Sequence, residues 1–135
     1  MKYLNPPISK NVVFNELFVD WDEPVILVEG LFDAIVAGQN AIPILGSTLR
    51  EENKLFQAIV LNDSPVYLAL DEDAVKKQEH LIRIFHRYDV DMKVIDTRNV
   101  DDVGSMSKEQ FLKRFSNAYE PDIDDINFYN QLAKI

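Results

Sequence analysis

Cysteine is absent from the 135-residue sequence, and histidine occurs only twice, at His80 and His86. The absence of thiols excludes disulfides, thiolate nucleophiles and cysteine zinc sites, and two histidines are too few for a histidine-based metal cage. Any metal must then be held mainly by oxygen, which favours magnesium or manganese. No apolar run approaches the roughly eighteen residues that span a bilayer. The opening Met1-Lys-Tyr-Leu-Asn-Pro-Pro7 also lacks the charged and apolar regions of a secretory signal. A cytoplasmic setting without a membrane is therefore expected. Positive charge is in deficit too, with 14 Lys and Arg against 23 Asp and Glu and a net charge of −9. This argues against a free-standing nucleic-acid binder, because cationic side chains supply most non-specific affinity for phosphates. Part of the surplus lies in a late cluster, Glu120, Asp122, Asp124 and Asp125, so a metal-bound site within a larger assembly can still meet phosphate. There is no internal repeat and no low-complexity tract.

The chain does have enough apolar content, 47%, for one domain with a sizeable core. Two of its runs end in acid: Val25-Ile-Leu-Val-Glu29-Gly30 and Val66-Tyr-Leu-Ala-Leu-Asp71-Glu-Asp73. Short β-branched and aliphatic runs read as strands of a parallel sheet covered on both faces. Ligands of open α/β sheets bind at the strands' C-terminal edge, so Glu29, Asp71 and Asp73 are expected to converge there. Two residues apart on a strand share a face, which would place Asp71 and Asp73 about 6 to 7 Å apart at their Cα atoms. Two carboxylates at about 6 Å repel by about 3 kcal/mol at an effective dielectric near 20, and a divalent cation is the simplest answer to that repulsion.

Between these runs the pattern alternates. Leu31, Ile35 and Val36 predict a helix over 31–39, stopped by Gly38-Gln-Asn40. Ala41-Ile-Pro-Ile-Leu45 predicts a short strand whose Pro43 suits an edge, and Gly46-Ser47 a turn. Thr48-Leu-Arg-Glu51 matches a capping box for a helix over 49–61. The third strand is expected over 66–70. A helix over 74–88 would bury Leu81, Ile82, Phe85 and Tyr88, with Lys77, His80, Arg83 and Arg87 largely opposite. Asp91–Asp96 predicts a fourth strand, and Ser105-Met-Ser-Lys-Glu-Gln110 a capped helix with Phe111, Leu112 and Phe115 inward. Residues 1–23 read as an irregular lead-in, in which Phe14 and Trp21 serve packing, and residues 119–135 as an acidic tail with Phe128 and Tyr129. Strands alternating with helices imply right-handed crossovers and a mostly parallel sheet of about four strands flanked by helices, an α/β three-layer, Rossmann-like domain over 24–118.

The two acidic motifs resemble those of the Toprim domains shared by primases, topoisomerases and small nucleases. That family has a strand ending in Glu-Gly with an Asp four residues after the Glu, then a strand ending in Asp-x-Asp. Here these stand as Glu29-Gly30-Leu-Phe-Asp33 and Asp71-Glu-Asp73, and Gly46-Ser47 falls where the family has a Gly-Thr or Gly-Ser. The resemblance covers roughly residues 24–117 and implies a Toprim-like fold. Glu29-Gly-Leu-Phe-Asp-Ala-Ile35 looks most like the primase version, and Asn99–Phe111 resembles the acidic loop and helix of phage primases. One departure follows Asp73, where the family often has a small residue and Gly and this chain has Ala74-Val75-Lys76-Lys77. Lys76 and Lys77 offer charge to a phosphate instead.

The resemblance implies metal-assisted nucleotidyl transfer in RNA primer synthesis. Asp71 and Asp73 would hold one or two Mg2+ (or Mn2+) ions, Glu29 would bind metal or move a proton, and Asp33 would reach the site or cap its helix. Gly30, Gly46, Asp101 and Asp102 are secondary candidates, although acids in such loops are commonly solvated. Nucleoside triphosphates and a single-stranded DNA template would be the partners. The template would be gripped through parts not present here, or through a zinc-binding or helicase partner, so the chain is expected to be a fragment or one subunit of a split enzyme. The alternatives are a small Toprim-family metal-dependent nuclease and a non-catalytic interaction module; a topoisomerase role is disfavoured because no tyrosine has a motif around it.

Overall fold

The two acid-ended runs form the central strands of the sheet, β1 at Val25–Val28 and β3 at Val66–Ala69. The computed structural model describes residue 13 and residues 16–45 and 49–124. Around β1 and β3 the chain forms α1 (Leu31–Ala37), β2 (Ala41–Pro43), α2 (Lys54–Asn62), α3 (Val75–Arg87), β4 (Met92–Val94) and α4 (Lys108–Ser116). Among the described residues four strands make one all-parallel sheet in the order β2-β1-β3-β4. This is the expected α/β three-layer arrangement. The proline-bearing β2 lies at an edge, where a missing amide is tolerated.

Period-two alternation divides the core between the two faces of the sheet. Val25, Leu27, Val66 and Leu68 pack with Leu55, Phe56 and Ile59 of α2 and Leu81, Ile82, Ile84 and Phe85 of α3. Ile26, Val28 and Ala69 pack on the other side with Phe111 of α4, and Ala34, Val36 and Ala37 of α1 close that layer. The chain steps from β1 to β2 in one direction and from β2 to β3 in the other. Right-handed crossovers therefore put α1 on the face opposite α2 and α3. The step direction reverses between β1 and β3, whose ends are in register at Val28 and Ala69. Crevices at such reversal points are where open α/β sheets bind ligands. Among the described residues no helix is long and apolar enough to cross a membrane.

Local details depart from the sequence reading in several places, and Tyr88, expected inward, is the C-cap of α3 and 44% exposed. Helix α2 begins at Lys54 with Asn53 as its N-cap, five residues beyond the expected start. Glu51 lies in the preceding turn and accepts from Arg87 Nη1 at 2.7 Å and from the Tyr88 hydroxyl at 2.8 Å; Thr48 lies outside the described residues, as do Gly46, Phe14, Phe128 and Tyr129. Leu112, expected inward, is 62% exposed, while Phe111 is buried, because the α4 layer needs only a narrow stripe. On α1, Leu31, Phe32 and Ile35 are exposed and Asp33 is buried. The Asp33 carboxylate, which accepts from the Gly104 amide, holds that side of the helix inward against its apolar periodicity.

The expected stop of α1 and cap of α4 form, and two further ties join the lead-in and the tail to the sheet. Gly38 ends α1 with φ 110°, a conformation open to glycine at little steric cost. Ser107 caps α4: its Oγ accepts from the Gln110 amide at 3.1 Å, and Gln110 Oε1 accepts from the Ser107 amide at 2.9 Å. Asn40 pins the lead-in to the sheet, donating to the carbonyls of Asp20 and Pro24 at 2.8 Å. Trp21 packs against the edge of the core. Tyr119, the first residue of the acidic tail, forms an antiparallel bridge with Val94.

Candidate functional site

Glu29 follows β1 directly, and Asp71 stands two residues beyond the end of β3. Asp73 is not on a strand as expected. The chain turns after Leu70, with the Ala74 amide donating to the Asp71 carbonyl at 2.9 Å, so the turn rather than strand pleat sets the relation of Asp71 to Asp73. All three acids border one open depression of about 600 Å3, together with Ala74, Val75, Lys76 and Lys77. The register pairs Val28 with Ala69, which brings Glu29 level with Leu70; adjacent strands lie about 4.8 Å apart, so Asp71, one residue further on, emerges beside Glu29. A second depression of about 390 Å3 shares Asp71 and runs past Glu72, Asp96, Thr97 and Arg98. A cleft of about 530 Å3 at the opposite edge of the sheet, lined by Pro24, Pro65, Met92 and Pro121 among others, lies away from these acids.

Asp71 is the stressed member of the group. Burial first, and then the negative charges of Asp33, Glu29, Asp102 and Asp73, push its carboxyl from 3.8 up to about 6. Its Oδ1 is buried without a hydrogen-bond partner among the described residues. An orphaned buried acceptor costs about 1–3 kcal/mol unless a donor or cation meets it. Glu29 does find an internal partner: Lys77 Nζ lies 3.2 Å from Glu29 Oε2, both side chains being largely buried. Lys77, placed by sequence as a phosphate contact, thus answers one of the negative charges. Lys76 is exposed beside it.

The remaining candidates divide between structure and site. Gly30 is the N-cap of α1, and its amide donates to Asp33 Oδ2 at 2.9 Å. Asp33 Oδ1 accepts from the Gly104 amide at 2.7 Å. Asp102 caps the short 3-10 turn Val103–Ser105, its Oδ1 accepting from the Ser105 amide at 2.8 Å, and its charge reaches Asp71. Asp101 is exposed. Two residues escaped the sequence reading. Gly104 is one, and the only hint of it was a glycine two positions after an acid pair. Thr97 is the other: it is buried and its hydroxyl donates to the Leu70 carbonyl at 2.6 Å, closing the end of β3 beside Asp71. Asp96 is held down to about 2, mainly by the side-chain hydrogen bonds of Arg98.

Carboxylate oxygens, no soft ligand and an orphaned acceptor fit a hard cation. Among the described residues no group of three or more acids or histidines stands in a ready metal-binding arrangement, and Glu29 is turned to Lys77. A bound cation would therefore have to compete with Lys77 for Glu29, while Asp71 is free to meet it.

The raised Asp71 pKa has a measurable consequence. The charged form is disfavoured in the fold, so the penalty is absent below pH 3.8, grows as pH rises toward 6 and is complete above that. Asp71→Asn should stabilise the metal-free protein by about 1 kcal/mol at pH 8, after discounting for solvent screening, and by nothing at pH 3.5. Urea melts at the two pH values check this, and an equal gain at both would remove charge as the cause. No protein-family description, curated protein or solved structure matches this chain.

Proposed function

We propose that this chain is the metal-binding, nucleotidyl-transfer domain of a DNA primase of the Toprim type, working in the cytoplasm as part of a larger or split enzyme. The observation that carries the reading is the meeting of Glu29, Asp71 and Asp73 around one depression where the sheet's winding reverses. The sequence motifs support it independently, Glu29-Gly30 with Asp33 following β1 and Asp71-Glu-Asp73 following β3.

In this reading Asp71 and Asp73 hold Mg2+ or Mn2+, with Glu29 as the third acid. Bound there, the ion supplies charge neutralisation for a triphosphate and for the charge that builds on the transferring phosphorus. Asp71 is prepared for this role by burial that leaves an oxygen unpartnered. Lys77 orients Glu29 while the pair is intact and frees a cation for phosphate when it opens. Lys76, exposed at the rim, is a further point charge for phosphate. The template is gripped elsewhere, by another domain or by a zinc-binding or helicase partner, since the net charge of −9 gives this domain little affinity for a polyanion.

The test is incubation of the protein with Mn2+, nucleoside triphosphates and single-stranded DNA at concentrations high enough to offset its weak hold on the template. RNA oligomers formed slowly, and absent in Glu29→Gln, are the expected product. Shortening of the DNA would select a metal-dependent nuclease instead. A second reading is favoured by the Glu29–Lys77 ion pair, which answers part of the acid repulsion without metal: a non-catalytic module of a replication assembly. Absence of both products, with melting indifferent to metal, would select it.

A further inference from the structure

Asp33 is the one acid in the described residues that is buried, at 7% exposure. Both of its oxygens are already engaged, Oδ2 with the Gly30 amide at 2.9 Å and Oδ1 with the Gly104 amide at 2.7 Å. The first bond is local, three residues along the chain. The second spans 71 residues and ties the start of α1 to the turn Val103–Ser105. Bonds from amides to a carboxylate are shorter and stronger than neutral ones, and a buried carboxylate depends on them. Each carboxylate oxygen keeps a second lone pair, but Asp33 is buried and does not border the depression that Glu29, Asp71 and Asp73 share, so an ion held there does not meet it.

The turn held by this bond carries Asp102 as its N-cap, and Val103 beneath it is fully buried. Gly104 fits because it has no side chain: a Cβ there would lie 3.1 Å from Asp33 Oδ1 and 3.3 Å from the backbone carbon of Phe32. The contact is thus shaped from both sides, by an acid at 33 and by the absence of a Cβ at 104.

We propose that Asp33 is a positioning residue for the acid site, a clasp that holds the Asp102 turn beside Asp71 through the Gly104 amide and binds no ion itself. The role in metal binding rests on the function proposed above; the clasp itself does not. Asp33→Asn keeps the shape but presents an NH2 group to one of the two amides, so one bond is lost. Gly104→Ala leaves the carboxylate intact and pushes the turn away. Supporting groups of this kind change metal affinity by about 10- to 100-fold.

The experiment measures amide hydrogen exchange at Gly30 and Gly104 and Mn2+ affinity in the full chain and in both variants, with circular dichroism to verify folding. In Asp33→Asn, exchange should accelerate about tenfold at whichever of the Gly104 and Gly30 amides faces the NH2 group, the equivalent of a partly lost hydrogen bond. Mn2+ binding should weaken about tenfold in each variant, and the double variant should bind no more weakly than the weaker single one. If Gly104→Ala bound Mn2+ like the parent while Asp33→Asn did not, Asp33 would be a direct ligand and the proposal would fall. Unchanged protection at both Gly30 and Gly104 in Asp33→Asn would overturn it too. If Asp33→Asn failed to fold, Gly104→Ala carries the same affinity test with Asp33 intact. A parent protein that bound no Mn2+ would sink the metal site, and exchange at Gly30 and Gly104 would still decide the clasp.

Discussion

On the function proposed above, magnesium or manganese at a hundredfold excess over its dissociation constant is expected to stabilise the protein by about 2.7 kcal/mol, the effect of a ligand that binds the native state alone. For a domain of this size that corresponds to a rise in melting temperature on the order of 10 °C. The double variant Asp71→Asn with Asp73→Asn should lose the response. It should also melt above the parent in metal-free buffer at pH 8, because Asp71 then no longer carries a charge opposed by burial and by Asp33, Glu29, Asp102 and Asp73. The two effects have opposite signs and one cause, the crowding of like charges that a cation relieves. Scanning calorimetry with and without the ion separates them. A double variant that still responded fully would place the ion away from Asp71 and Asp73.

The second large effect lies beneath the site. Phe56→Ala is expected to cost about 4 kcal/mol, the usual range for truncating a buried Phe being about 3–5 kcal/mol. Phe56 is 2% exposed. Its ring stacks on Phe85 at 5.2 Å between centroids and meets Tyr88 edge-on at 5.2 Å, so the substitution opens a cavity between α2 and α3. Both contacts belong to helices on the same face of the sheet, leaving little to collapse into the space. Leu112→Ala, at 62% exposure, is the control and should stay within about 0.5 kcal/mol. Urea midpoints at constant slope read both. A loss below 1.5 kcal/mol for Phe56→Ala would mean that α2 and α3 do not meet through these rings.

The alternation of strands and helices was legible because each apolar run carries its own period. Val25–Val28 and Val66–Ala69 are continuous runs and are buried or nearly so along their length, as strands covered on both faces must be. The start of α2 was not legible. Thr48-Leu-Arg-Glu51 has a capping pattern, yet the Glu51 carboxylate is taken by Arg87 and Tyr88, residues more than thirty positions away. The inward face of α1 was misjudged for a related reason. Its apolar spacing selects Leu31 and Ile35, while two amide bonds to Asp33 turn those residues outward. Local period and capping chemistry are weak terms, worth about 1 kcal/mol each, and a few tertiary bonds outweigh them.

The sequence by itself determined the α/β class, the two acid-ended runs and the mainly oxygen character of any metal site, because composition and short-range period are properties of adjacent residues. Only the tertiary structure decided that β1 and β3 are neighbours at the point where the winding reverses, that Lys77 answers Glu29 from 48 residues away, and that Asp33 holds Gly104 across 71. Such pairings arise from crossover handedness and packing of distant segments, for which neighbouring residues carry no period.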